Sequence, residues 1–146
     1  MKVLVVGPSR SHKSPLVNCL GGLADRIRDD SLPATVGVRI VEADRPGVAS
    51  GGAGGGGAAG GASAGLELWD VSGDQSYEAT WPAVAKGADA VVLVYDPDNA
   101  GAAKEVELWH EWFVVKHDIP FDRVVCFALT AAGSSTTDST WRRRPA

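Results

Sequence analysis

Short apolar runs, punctuated by glycine and proline, organise this chain. Five of them read as strands: Lys2–Val6, Val36–Ala43, Leu66–Val71, Ala90–Tyr95 and Val124–Leu129. Ala90–Tyr95 and Val124–Leu129 are nearly continuous in apolar character, the mark of strands covered on both faces in a parallel sheet. Val36–Ala43 mixes apolar and polar residues, as an edge strand does. Helical periodicity lies between most of these runs. A first helix opens near Lys13, with Pro15 in its first turn, where a missing N–H is harmless. Leu16, Val17 and Leu20 form its apolar face, and Gly21-Gly22 stop it. A second helical stretch, Tyr77–Lys86, is interrupted by Pro82. The third, Ala102–Lys116, carries Val106, Trp109 and Phe113 on one face with Trp112 beside them. Strands alternating with helices predict a three-layer α/β domain with a mostly parallel sheet.

Two segments fall outside this pattern. Gly47–Gly65 is almost entirely Gly, Ala and Ser. It has too little apolar surface to offset ordering entropy, so it is expected to be a flexible insert at the tip of a long hairpin. Gly133–Ala146 is Ser/Thr-rich and then basic, and is expected to be a disordered tail. The folded domain is therefore expected to span 1–132.

Composition narrows the function classes. The 146 residues suit one domain, and 45% hydrophobic residues suffice for its core. A net charge of −4 gives no footprint for a nucleic-acid polymer, and Arg142-Arg143-Arg144 reads as a solvated tail. Cys19 and Cys126 lack zinc-type spacing and sit in apolar surroundings, which predicts buried thiols in a reducing compartment. No apolar run approaches the ~20 residues of a membrane span. Val3–Val6 is too short for a signal peptide, and Arg144-Pro145-Ala146 carries no prenylation cysteine, so no direct membrane anchor is expected.

The candidate chemistry begins where the first strand ends. Gly7-Pro8-Ser9-Arg10-Ser11-His12-Lys13-Ser14 follows the phosphate-loop pattern G-x-x-x-x-G-K-[ST], with His12 in place of the second Gly. Backbone N–H groups of such a loop cradle phosphates, and the following helix N-terminus adds its dipole. Lys13 would reach the β/γ-phosphates, and the Ser14 hydroxyl would bind Mg²⁺. The third strand ends in Asp70-Val71-Ser72-Gly73, a D-x-x-G. Asp70 at that strand end can hold Mg²⁺ through water, and the Gly73 N–H can meet a γ-phosphate. Thr35, between the two motifs, can complete the Mg²⁺ shell when γ-phosphate is present. The nucleotide-binding set is thus Gly7, His12, Lys13, Ser14, Thr35 and Gly73, and the metal set is Ser14, Thr35 and Asp70.

Taken in order, these pieces resemble a Ras-superfamily small GTPase of the Rab-like branch. Lys86–Asp96 is similar to the Rab segment leading into the fourth strand. Gly37–Glu42, Glu67-Leu68-Trp69-Asp70, Gly73-Asp74, Trp81-Pro82-Ala83 and Glu107-Leu108-Trp109 together resemble the Rab-like subunits of intraflagellar transport complex B. Trp81-Pro82 is the most specific part, since ordinary Rabs lack it. The likeness runs from Lys2 to about Leu129, outside the Gly-rich insert. It implies a P-loop small-GTPase fold that binds GTP or GDP with Mg²⁺. It also implies docking on coiled-coil subunits of complex B and a role in cilium and flagellum assembly. The expected locations are cytoplasm, basal body and cilium or flagellum.

Several residues depart from that pattern. His12 either weakens the phosphate loop or donates a ring hydrogen bond to phosphate. Asp74 stands where the superfamily usually has a Gln that orients the attacking water, so intrinsic hydrolysis is expected to be slow or absent. The resembled family shares this Asp. After Val124–Leu129 comes Thr130-Ala131-Ala132-Gly133, not the base-reading N-K-x-D, which leaves GTP and ATP both open; Asp138 is too far along to serve. The fold also lacks the C-terminal helix–strand–helix, which predicts a bare apolar sheet face and marginal stability. One of Trp109 and Trp112 is expected in the core and the other on the helix flank. Trp81 is balanced between core and partner docking. His110 and His117 read as solvated, and Asp29-Asp30 as a solvated loop. Three functions remain in view: a nucleotide- and partner-binding subunit with little turnover, a slow GTPase needing an activator in trans, and a nucleotide-free adaptor.

Overall fold

Alternation along β1 (Lys2–Val6) sends Leu4 and Val6 to one face of the sheet and Val3 and Val5 to the other. Each pair seeds a separate core, so the sheet is covered twice. The computed structural model describes residues 1–27, 32–45, 64–130 and 135–137. In it, β1 lies between β3 (Ala64–Val71) and β4 (Ala90–Tyr95), parallel to both. β5 (Val124–Leu129) continues the parallel set beyond β4. β2 (Val38–Arg45) closes the near edge, antiparallel to β3. The sheet order is β2-β3-β1-β4-β5-β6, with β6 at Ser135–Thr137.

α1 (Lys13–Leu20) covers one face, where Leu16 and Val17 pack on Val3, Val5, Val94 and Leu129. α2 (Trp81–Ala85) and α3 (Ala102–Phe113) cover the other, where Trp81, Val106, Trp109 and Phe113 meet Leu4, Val6 and Leu93. This is the expected three-layer α/β arrangement with a mostly parallel sheet. β4 is buried through its interior, as a central parallel strand should be, while β5 alternates in burial.

Four expectations need correction. Pro82 does not interrupt a helix. A 3₁₀ helix occupies Gln75–Thr80, and α2 then opens with Pro82 in its first turn, where no N–H is needed. Ser135–Thr137 lies in the segment expected to be a tail, yet it pairs antiparallel with β5, Leu129 opposite Ser135. The sheet face expected to be bare is buried at Val3, Val5, Val92, Val94 and Leu129 and half-buried at Ala90 and Phe127, so it is bare only in part. His110 and His117 are half-buried rather than solvated. Strand limits also moved: β2 starts at Val38 and β3 at Ala64. α3 ends at Phe113, with a short 3₁₀ turn following at Val115–His117. Among the described residues no helix follows β5, and none is long and apolar enough to cross a membrane. Residues 47–63 of the insert, Asp29-Asp30, Asp138 and Arg142-Arg143-Arg144 lie outside the described residues.

Candidate nucleotide and metal site

The carboxyl end of β1 runs straight into the phosphate loop. Gly7 has φ +151, and a Cβ there would overlap the Val94 carbonyl oxygen, so only glycine lets the chain leave the sheet beside β4. The loop ends in two left-handed residues, Arg10 at φ 61 and His12 at φ 64, the latter capping α1. A second glycine is the usual choice at His12 for this reason: the backbone there is left-handed, which costs an L-residue roughly 1–2 kcal/mol. The His12 ring, 10% exposed, sets Nε2 3.8 Å from Asp96 Oδ2 at the end of β4.

Lys13 is buried at 7% exposure. Its Nζ donates to the Pro8 carbonyl at 2.7 Å and to Ser11 Oγ at 3.3 Å, so the side chain bridges the loop it belongs to. Burial pushes its pKa down to about 8, partly offset by the nearby Asp70 carboxylate.

Ser14, Thr35 and Asp70 meet. Ser14 Oγ donates to Asp70 Oδ2 at 2.7 Å and lies 2.9 Å from Thr35 Oγ1, which is itself 3.4 Å from Asp70 Oδ2. Asp70 is fully buried, and its Oδ1 has no hydrogen-bond partner. A buried, half-unsatisfied carboxylate beside two hydroxyls is an all-oxygen donor set. It suits Mg²⁺, which is bound by one or two carboxylates with water and phosphate supplying the rest. Gly73 follows on the same strand end. A Cβ there would overlap Ser9 N and the Pro8 carbonyl carbon, so the D-x-x-G turn rests directly on the phosphate loop. A cavity of about 670 Å³ is lined by His12, Lys13, Ser14, Thr35, Gly73 and Asp74 among others, while Gly7 and Asp70 do not line it. That volume is in the range of small-molecule sites.

Asp74 has a structural task of its own. Its carboxylate accepts from the Ser76 N–H at 2.9 Å and caps the 3₁₀ helix, and that bond holds its pKa below the usual carboxylate value. Three participants were not assigned a site role from the sequence: Arg39, Asn18 and Asp96. Arg39 reaches Asp70 Oδ2 at 3.2 Å and Asn18 Oδ1 at 2.9 Å. A signal existed, since Arg39 is a lone cation on an otherwise apolar stretch four residues past Thr35.

The family model described as Ras of Complex, Roc, domain of DAPkinase matches residues 2–126. An intraflagellar transport protein 22 homolog from Bos taurus is 34% identical over 135 residues, 92% of this chain and 68% of that protein. The chain belongs to the intraflagellar transport protein 22 family. Within that family, the GDP-bound crystal structure from T. brucei is 32% identical with a TM-score of 0.52, covering 79% of this chain and 56% of that one. The GTP-bound T. brucei complex of intraflagellar transport proteins 22, 74 and 81 aligns with a TM-score of 0.65 at 24% identity, covering 93% of this chain and 86% of that one; it supports the fold. The chain spans about two thirds or less of the length of the first curated relatives it matches. Trp81 of the Trp81-Pro82 pair is explained by packing. Trp81 is 2% exposed, with its ring 4.7 Å from Trp109, 5.4 Å from Trp112 and 5.3 Å from Phe113. It belongs to the core. Trp109 is buried and Trp112 half-buried under the Lys116 ammonium, as expected for core and flank.

Proposed function

We propose that this chain is a guanine-nucleotide-binding, Rab-like subunit of intraflagellar transport complex B that acts by binding rather than by turnover. The observation that carries this reading is the convergence of Ser14, Thr35 and Asp70 beside the buried Lys13. In this reading Lys13 neutralises the β/γ-phosphates, and the loop N–H groups with the α1 N-terminus hold phosphate oxygens. Ser14 and Thr35 would ligate Mg²⁺ directly and Asp70 through water; the ion supplies charge neutralisation between phosphates. Gly73 would offer its N–H to a γ-phosphate.

Weak hydrolysis is supported by Asp74. Its carboxylate is committed to the 3₁₀ cap and brings negative charge to the cavity rim, where the superfamily places a neutral amide. Guanine preference is supported by the GTP- and GDP-bound relatives, since the chain has no N-K-x-D. Partner choice is supported by the relative solved with proteins 74 and 81. This chain would dock likewise on coiled-coil complex B subunits, in cytoplasm, basal body and cilium or flagellum.

Titration of the chain with fluorescent GDP, GTP and ATP in Mg²⁺ tests the reading. Saturable binding of GDP and GTP, with ATP weaker and single-turnover hydrolysis near background, is the expected result. Failure of all three to bind refutes it in favour of a nucleotide-free adaptor. Multiple turnover abolished by Lys13→Ala refutes the emphasis on binding in favour of a GTPase.

A further inference from the structure

We propose that Arg39 is a resident counter-cation of the metal site, one that holds Asp70 in place without Mg²⁺ and lowers the share of nucleotide affinity that Mg²⁺ supplies. This rests on the nucleotide-binding reading above and goes beyond it. Arg39 and Asp70 are directly opposite each other across the antiparallel β2–β3 pair, so their side chains share one face of the sheet. Arg39 Nη2 lies 3.2 Å from Asp70 Oδ2, the same oxygen that accepts from Ser14 Oγ. Its position is fixed from α1 as well. Nη1 donates to Asn18 Oδ1 at 2.9 Å, and Nη2 lies 3.4 Å from the Ser14 carbonyl. The guanidinium thus touches the Asp70 carboxylate, the Ser14 backbone and the Asn18 side chain at once.

Two consequences follow from charge alone. With no divalent ion present, Asp70 is a fully buried carboxylate, and Arg39 sets an opposite charge 3.2 Å from its Oδ2. With the ion present, a dication bound to the Ser14 and Thr35 hydroxyls sits close to a fixed monocation, and the two repel. Asp70 Oδ2 also shares its lone pairs with Arg39, which lessens what it offers to a metal-bound water. Both effects reduce the coupling between Mg²⁺ and nucleotide. A purely structural ion pair, tying β2 to α1, would change both affinities equally and leave their ratio alone.

That ratio is the test. The dissociation constant of fluorescent GDP is measured on the 146-residue chain with excess Mg²⁺ and with EDTA. Arg39→Gln is expected to raise the EDTA-to-Mg²⁺ ratio about tenfold, or about 1.4 kcal/mol of added coupling. Arg39→Lys, which keeps the charge, retains the unaltered ratio. Should Arg39→Gln fail to fold, Asn18→Ala releases the guanidinium from α1 and is expected to raise the ratio in the same direction. A ratio that stays put or falls in the folded variant overturns the role of Arg39 alone. Absence of GDP binding by the unaltered chain overturns this inference together with the reading it rests on.

Discussion

Lys13 carries two opposite pH dependences that separate its roles. Its pKa is lowered to about 8 chiefly by burial. An unfolded chain keeps that proton up to its ordinary value near 10.5. Between about 8 and 10.5 the unfolded state therefore binds more protons, and the nucleotide-free protein gains stability with rising pH, by up to about 3 kcal/mol. Phosphate binding needs the charged form, so affinity runs the other way. GDP affinity is expected to be about tenfold weaker at pH 9 than at pH 7, measured by fluorescence titration. A Lys13→Met variant should bind more weakly and lose that fall; a fall that persists would assign the proton elsewhere. His12 yields a second residue-scale prediction. The left-handed backbone that a glycine would accept freely is occupied by an imidazole beside Asp96. His12→Gly is expected to relieve about 1 kcal/mol of backbone strain. It should raise the urea midpoint and tighten GDP several-fold. Tighter binding by the histidine form would instead support a ring hydrogen bond to phosphate.

At the scale of elements, the segment after the D-x-x-G shows where sequence pattern reads well and where it does not. Gly7, Lys13, Ser14 and Asp70 were legible because their chemistry depends on spacing at strand ends, which is local. Pro82 was misread because its effect depends on whether it sits inside a helix or at its first turn. Trp81 was ambiguous for the same reason: a tryptophan in a switch segment looks alike whether it faces a partner or the core. The structure packs it against α3, with its ring tilted onto Trp109 and Phe113. Trp81→Ala should therefore cost about 3–5 kcal/mol of stability, as aromatic truncation in a core does. Chemical denaturation followed by far-ultraviolet circular dichroism checks this. A folded, equally stable Trp81→Ala protein would return the residue to the surface and to partner docking.

The whole molecule is a sheet whose edges were the least legible part. Interior strands announce themselves through apolar runs, and β1, β4 and β5 fall where those runs are. The β2–β3 register that sets Arg39 against Asp70 joins residues far apart in sequence. No local pattern encodes it. β6 is three residues of Ser and Thr, and only its pairing with β5 makes it a strand. Yet the candidate site sits at the carboxyl ends of β1 and β3, with Thr35 preceding β2, so it spans three elements of the sheet and α1. A ligand that binds only this assembled state must stabilise the fold by mass action. GDP at a hundred times its dissociation constant should add about 2.7 kcal/mol. For a domain of this size that corresponds to a melting shift of about 10 °C. The measurement is differential scanning fluorimetry over a GDP series, with and without Mg²⁺. The shift should grow logarithmically with GDP, be smaller in EDTA, and disappear in Lys13→Ala. A melting temperature indifferent to GDP would mean that the assembled loop, hydroxyls and carboxylate do not take nucleotide, leaving the sheet as a scaffold for partners alone.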